Sequence, residues 1–185
     1  MPDDWANWAG SWNKIAETYG IEHDDTDMSS AEELSIFETE KDAPTKDIGD
    51  VGQAFGQTAI DMDVVQPYKA TTWDSVPDWA KDPDGKWVIT YYGTLSCLTN
   101  TDNLANALTS WADVKNSDAV LTIGDVVRGA SAQMAVLSAA YALGGDMENL
   151  DPAFTFFSEL AKEGRLDTAD YSAERMARGE IDALF

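Results

Sequence analysis

Cysteine and histidine are almost missing from this chain of 185 residues: each occurs once, as Cys97 and His23. A single thiol excludes an internal disulfide, and a single imidazole excludes a His-rich metal site or a paired-histidine catalyst, so no metal and no cofactor is expected. Basic residues are also scarce. Twelve Lys plus Arg stand against 34 Asp plus Glu, for a formal charge of −22. Such a surface repels nucleic acid and anionic lipid, which excludes both as partners. Long hydrophobic runs are lacking too. The longest, Ala132 to Leu143, is too short to span a bilayer and is broken by Gln133 and Ser138, so direct membrane insertion is not expected. The opening residues carry neither a basic region nor an apolar one, so no signal peptide is visible in the chain. A helix starts almost at once, and Ile181 to Phe185 reads as a strand cut at its last residue. The chain therefore reads as a fragment, truncated at both ends.

What is present supports a packed core. Hydrophobic residues make up 44% and aromatics 10%, well outside the composition of a disordered tail. The length suits one domain or two small lobes. The acid excess keeps a protein soluble at the cost of self-repulsion, which a salty medium would screen. An ordinary acidic protein has the same balance, so the habitat stays open.

Helical and strand periods alternate along the chain. Trp5, Trp8, Trp12, Ile15, Ala16 and Tyr19 recur at spacings of three and four, predicting an amphipathic helix that ends at Gly20. The tryptophan stripe reads as a helix pressed on a core, with a sugar-stacking platform as the alternative. Ser30 followed by Glu33 reads as a capping box opening a helix from about Ala31 to Lys41, with Leu34 and Phe37 inward. Asp47 to Gly52 reads as a strand tip entering a glycine-rich turn, and Ala54 to Gly56 as the start of a short helix. Residues 64–87 are irregular, with a turn at Pro83-Asp84-Gly85. Trp87 to Tyr92 is the longest strand-like run, and Leu95 to Leu98 extends it. Further on, Ser110 caps a helix holding Trp111 and Val114, and Ala119 to Ile123 is a buried strand. Ala130 to Leu143 is an apolar helix closed by Gly144-Gly145. Asp151 caps a helix with Phe154, Phe157, Leu160 and Ala161 inward, and Ser172 to Arg178 is a helix before the Ile181 to Phe185 strand. This alternation predicts an α/β fold with a largely parallel sheet.

Enzyme signatures are absent: no nucleophile elbow, no HExxH, no phosphate-binding glycine loop of either common type. His23 beside Asp24 and Asp25 begins a general base but has no nucleophile near it in sequence. Cys97, in an apolar strand, reads as a small buried hydrophobe. No catalytic residue is assigned, and the chain is not expected to be an enzyme. Three segments suit a ligand better. Ser29-Ser30 offers hydroxyls and amides at a helix start. Gly49-Asp50-Val51-Gly52 follows an expected strand, where glycines let a ligand reach the backbone. Gly124 to Ser131 lies between a strand and a helix, and its Asp125 and Arg128 suit a charged group; Arg128 equally suits one of the many acids. Strand ends of open α/β sheets are where such folds bind ligands. Trp73, Trp79 and Trp87, near Asp74 and Asp78, fit an ammonium cage or loop packing. Of Tyr91 and Tyr92, which a strand would point to opposite faces, one is expected in the core; Tyr92 joins the binding set.

The order of Trp5 to Tyr19, Asp27 to Glu33, Asp47 to Gly52, Val76 to Gly85, Ser110-Trp111-Ala112-Asp113 and Gly144-Gly145-Asp146 resembles bacterial extracellular, periplasmic solute-binding proteins of ABC importers. The group in question includes iron, polyamine, phosphonate and thiamine binders. The resemblance implies a periplasmic-binding-protein-like α/β fold, incomplete in this chain. Residues 1–86 would be most of lobe one, 87–109 the crossover and hinge, and 110–185 most of lobe two. It also implies a small-molecule solute captured between lobes, a membrane permease as partner, and a periplasmic or extracellular location. Iron binding is not carried over, because Tyr91-Tyr92 lies in the first crossover rather than in lobe two. The expected ligand-binding residues are Ser29, Ser30, Gly49, Asp50, Tyr92, Asp125 and Arg128. The ligand is expected to be anionic, a phosphonate or phosphate ester. A polyamine held by Asp50, Asp125 and a tryptophan, a sugar, and an interaction protein that binds no solute are the alternatives.

Overall fold

A computed structural model describes residue 3, residues 7–169 and residues 172–185. Trp5, expected in the first helix, lies outside them. The chain divides into two compact units, Met1–Gly93 and Thr94–Phe185.

The second unit is built on a mixed α/β plan, as expected. Its sheet has the order β1 (Leu98–Thr99), β4 (Ala183–Leu184), β2 (Leu121–Thr122), β3 (Leu166–Asp167). β2 runs parallel to both β3 and β4, whereas β1 is antiparallel to β4. The apolar run around β2 makes it a strand buried on both faces, with Leu121 and Thr122 fully shielded, as parallel sheets require. Asp182 locks the register. Its Oδ2 accepts from the Val120 N–H at 2.7 Å and its Oδ1 from Asn103 Nδ2 at 2.6 Å.

Among the described residues four helices complete this unit: α4 (Trp111–Asn116), α5 (Ala130–Ala142), α6 (Asp151–Lys162) and α7 (Ala173–Ala177). α5 buries Ala132, Ala135, Val136, Ala139 and Ala140; small side chains there let its backbone approach its neighbours closely. α6 buries Ala153, Phe156, Phe157 and Leu160, a single stripe at the helical period. Phe154 and Ala161 were expected inward, but Phe154 is 56% exposed and Ala161 is exposed too. They are seven residues apart and share a stripe one residue, about 100°, round from the buried one. The cap also differs: Leu150 is the N-cap and Asp151 the first helical residue. Ser110 caps α4 as read, and Ser172, read as the first residue of its helix, is instead the cap of α7; each accepts from an amide three residues on. Trp111 holds the core together. It stacks on Phe185 with centroids 4.1 Å apart, meets Phe156 and Phe157 edge-on, and donates from Nε1 to Ser138 Oγ at 2.9 Å.

The first unit has a different character. It contains α1 (Trp8–Tyr19), α2 (Ser30–Thr39) and α3 (Gly56–Asp61), with 3-10 turns at Gln53–Phe55, Trp73–Ser75 and Asp78–Ala80. Among the described residues it has no strand ladder, only an isolated bridge between Lys81 and Val88. Two expected strands are therefore corrected. Asp47 to Val51 is loop, and Trp87 to Tyr92 folds back on residues 80–82 around the Pro83-Asp84-Gly85 turn. Trp87 O accepts from Asp82 N, and Ile89 N donates to Ala80 O. That uses the hydrogen-bonding groups of only two residues of the run, with no second strand to extend the pairing. The cap of α2 is also one residue earlier than read. Ser29 and Glu32 form the capping box, which frees Ser30 and Glu33 for other partners.

Candidate ligand-binding site

In the first unit the loop 47–52 is fastened across the start of α2. Glu33 Oε1 accepts from the Asp50 N–H at 3.0 Å, and Ser30 Oγ accepts from the Gly52 N–H at 3.1 Å. Gly49 sits where a Cβ would come within 2.5 Å of Glu33 Oε1 and 2.6 Å of Phe37 Cζ. The glycine is thus required by packing against α2. Asp50 Oδ2 accepts from the Tyr91 hydroxyl at 2.7 Å. Burial, then the Asp50 hydrogen bond and charge, push the Tyr91 phenol up to about 12. Burial raises the Glu33 carboxyl, against the lowering effect of the Asp50 amide. Ser29 is absorbed by its capping box: Glu32 Oε2 accepts from its hydroxyl at 2.7 Å.

The structure therefore brings Ser29, Ser30, Gly49 and Asp50 into one neighbourhood. Tyr92 is 84% exposed, and among the described residues no hydrogen bond of its side chain ties it there. Tyr91, its neighbour, is the tyrosine that meets Asp50. Glu33 and Tyr91 are the members that sequence reasoning missed. The available signal for Glu33 was its spacing from Ser30, which was assigned to a cap instead. Chemically, the amides of Asp50 and Gly52 are already spent. What this loop presents is the Asp50 carboxylate and the Ser30 hydroxyl.

The second unit places Asp125 and Arg128 together after β2. Gly124 adopts φ +77, a left-handed turn that suits glycine, and residues 125–128 then form a tight turn. Asp125 Oδ1 accepts from the Val127 N–H at 2.8 Å, and its carbonyl accepts from the Arg128 and Gly129 amides. α5 begins at Ala130, and its first backbone bond to a preceding carbonyl runs from Gln133 N to Gly129 O. The amides of Ala130, Ser131 and Ala132 thus point out of the helix start beside Arg128, an anion-receptive arrangement.

Other residues singled out by sequence have internal partners. His23 stacks flat on Trp12 at 4.7 Å and pairs with Asp3 at 3.2 Å, rather than meeting a nucleophile. Trp73 is met by the chain's own ammonium groups, Lys81 at 5.6 Å and Lys69 at 5.8 Å from the ring centroid. Trp79 is 66% exposed, and Trp87 lies against Gly56. Burial raises the Cys97 thiol, which lowers its thiolate fraction and its reactivity. No helix among the described residues is long and apolar enough to cross a membrane.

Residues 43–185 match the family of bacterial extracellular solute-binding proteins, and the chain belongs to that family. No curated protein matches the chain. Family membership carries a solute-binding role in ABC-type transport, with small-molecule solutes and an ABC permease as partners and an extracellular or periplasmic place of work. Members of the family are in general not enzymes.

Proposed function

We propose that this protein is the solute-binding component of an ABC importer and that its solute is a small polar molecule with an anionic group, of the phosphonate or phosphate-ester class. Residues 1–86 and 110–185 serve as lobes, with 87–109 as the hinge segment. The observation that supports the anionic class is the start of α5, where three outward amides stand next to Arg128 and follow a glycine turn at the end of β2. Helix dipole, amides and guanidinium all favour negative charge there. Asp125 shapes that turn, and Ser29, Ser30, Gly49, Asp50 and Tyr92 complete the contact set.

A polyamine is the second reading. It is favoured by the first unit, where the Asp50 and Gly52 amides are consumed and a carboxylate remains. A solute panel read by thermal shift separates the two. At a hundred times its dissociation constant a ligand adds about 2.7 kcal/mol of stability. For an anionic solute, Arg128→Ala weakens binding by about 10- to 100-fold, the worth of a charged hydrogen bond, while Asp50→Asn changes little. For a polyamine the two effects exchange. No response to phosphonates, phosphate esters or polyamines refutes both readings.

A further inference from the structure

Glu33 is placed awkwardly for a carboxylate. It lies in the first turn of α2 and is half-buried beside the loop 47–52, with Gly49 packed against it and against Phe37. It accepts the Asp50 N–H at 3.0 Å, and among the described residues no cation pairs with it. Burial is the largest influence on its carboxyl and lifts it above the ordinary 4.5. The Asp50 amide and the Met1 amino group pull the other way, and the carboxylates of Asp50 and Asp25 add to the rise. The loop's other fastenings stay constant in that range. Ser30 Oγ, which takes the Gly52 N–H at 3.1 Å, is a hydroxyl and does not titrate there. The Tyr91 phenol that holds Asp50 Oδ2 is pushed up to about 12 and keeps its proton throughout.

We propose that Glu33 is a proton-operated clasp on the loop 47–52, which mild acid tightens by neutralising the carboxylate that fastens that loop to α2. A neutral carboxyl still accepts the Asp50 amide through its carbonyl oxygen. What it sheds is the cost of a half-buried charge and its repulsion from Asp50 and Asp25. Local opening of the loop returns Glu33 to water, where it ionises at its ordinary value, so protonation favours the closed form. The stabilising contribution of Glu33 is therefore complete below 4.5 and is lost as pH rises through the higher folded value. The consequence for binding rests on the reading that this loop meets the solute. Acid then removes one of the two negative charges that Glu33 and Asp50 place there, which weakens capture of a cation and eases that of an anion.

Carboxyl-carbon NMR of Glu33 and hydrogen exchange of the Asp50 and Gly52 amides test this on the full chain. The carboxyl midpoint is expected above 4.5. As pH falls through that midpoint, protection of both amides rises, by about tenfold for each pH unit separating the midpoint from 4.5. Glu33→Gln, whose carboxamide oxygen still accepts the Asp50 N–H, abolishes this rise and holds the loop tight at neutral pH. In denaturant unfolding that variant is more stable than wild type at neutral pH and loses its advantage towards pH 4.5. Asp25→Asn lowers the Glu33 midpoint without removing the rise. A Glu33 midpoint at or below 4.5 overturns the proposal. So does amide protection that ignores that midpoint, or a Glu33→Gln variant less stable than wild type at neutral pH. No solute enters these measurements, so a silent solute panel would sink the binding reading and leave the clasp standing.

Discussion

Replacing Ser138 with alanine removes one oxygen from the second unit, yet the cost should be large for so small a change. That oxygen is the acceptor for Trp111 Nε1 at 2.9 Å, and Trp111 is only 7% exposed, with Phe185, Phe156 and Phe157 around its ring. Without Ser138 Oγ the indole N–H has no protein acceptor, and a buried donor left unpaired costs about 1–3 kcal/mol. Ser138 is itself half-buried, so water gains some access and the lower part of that range, about 1–2 kcal/mol, applies. In a domain of this size each kcal/mol lowers the melting midpoint by about 4–8 °C. A Ser138→Ala melting midpoint about 4–16 °C below wild type is therefore expected by calorimetry. The decisive comparison is a double-mutant cycle with Trp111→Phe, which keeps most of the ring packing but carries no N–H. In that background Ser138→Ala should cost almost nothing. If it costs the same in both backgrounds, the hydrogen bond does not stabilise this core and the reasoning fails.

Two further outcomes concern the first unit. Gly49→Ala forces a Cβ into contact with Glu33 and Phe37 and should cost about 1–3 kcal/mol in denaturant unfolding, as overpacking does; Gly93→Ala, with open space around it, should cost far less. In a spectrophotometric titration, one phenol should ionise near pH 12, where the ordinary value is 10.0, and Asp50→Asn should bring it down towards the ordinary range. Because the folded value lies above the ordinary one, the neutral phenol's stabilisation is complete below pH 10 and is lost as pH rises towards 12. Wild type should therefore lose stability more steeply across that window than Tyr91→Phe, and equal slopes would count against the Tyr91–Asp50 pair.

The second unit was largely legible from sequence because its signals are long and local. Ala130 to Leu143 and the Phe157/Leu160 stripe carry a helical period, glycines 144, 164 and 179 adopt the positive φ that closes helices, and Ser110 and Ser172 stand at their caps. What was missed depended on partners. β3 is only Leu166–Asp167, two residues whose strand character comes from lying beside β2. Trp87 to Tyr92 has every strand propensity, but a ladder needs a neighbour, and among the described residues the run finds only the bridge to Lys81. At α2 two overlapping Ser-x-x-Glu pairs compete for the cap, and local pattern cannot choose between them. Ser29–Glu32 takes it, and this turns Ser30 and Glu33 towards the loop 49–52. The same shift hid Glu33 from the candidate site, while Tyr91 could be preferred to Tyr92 only once a face was known.

The position of β4 in its sheet bears on how the second unit comes together. β1 and β2 are close in sequence but do not touch. Each finds its neighbour in Ala183–Leu184, the strand that lies farthest along the chain. Neither can acquire that partner until a loop of most of the unit has closed, so the sheet is dominated by non-local contacts, which make folding slow. Until β4 arrives, α5 and α6 can pair through contacts close in sequence, while a slot between β1 and β2 stands open. Substitutions at Ala183 or Asp182 should therefore act mainly on the rate of unfolding, and substitutions between α5 and α6 on the rate of folding.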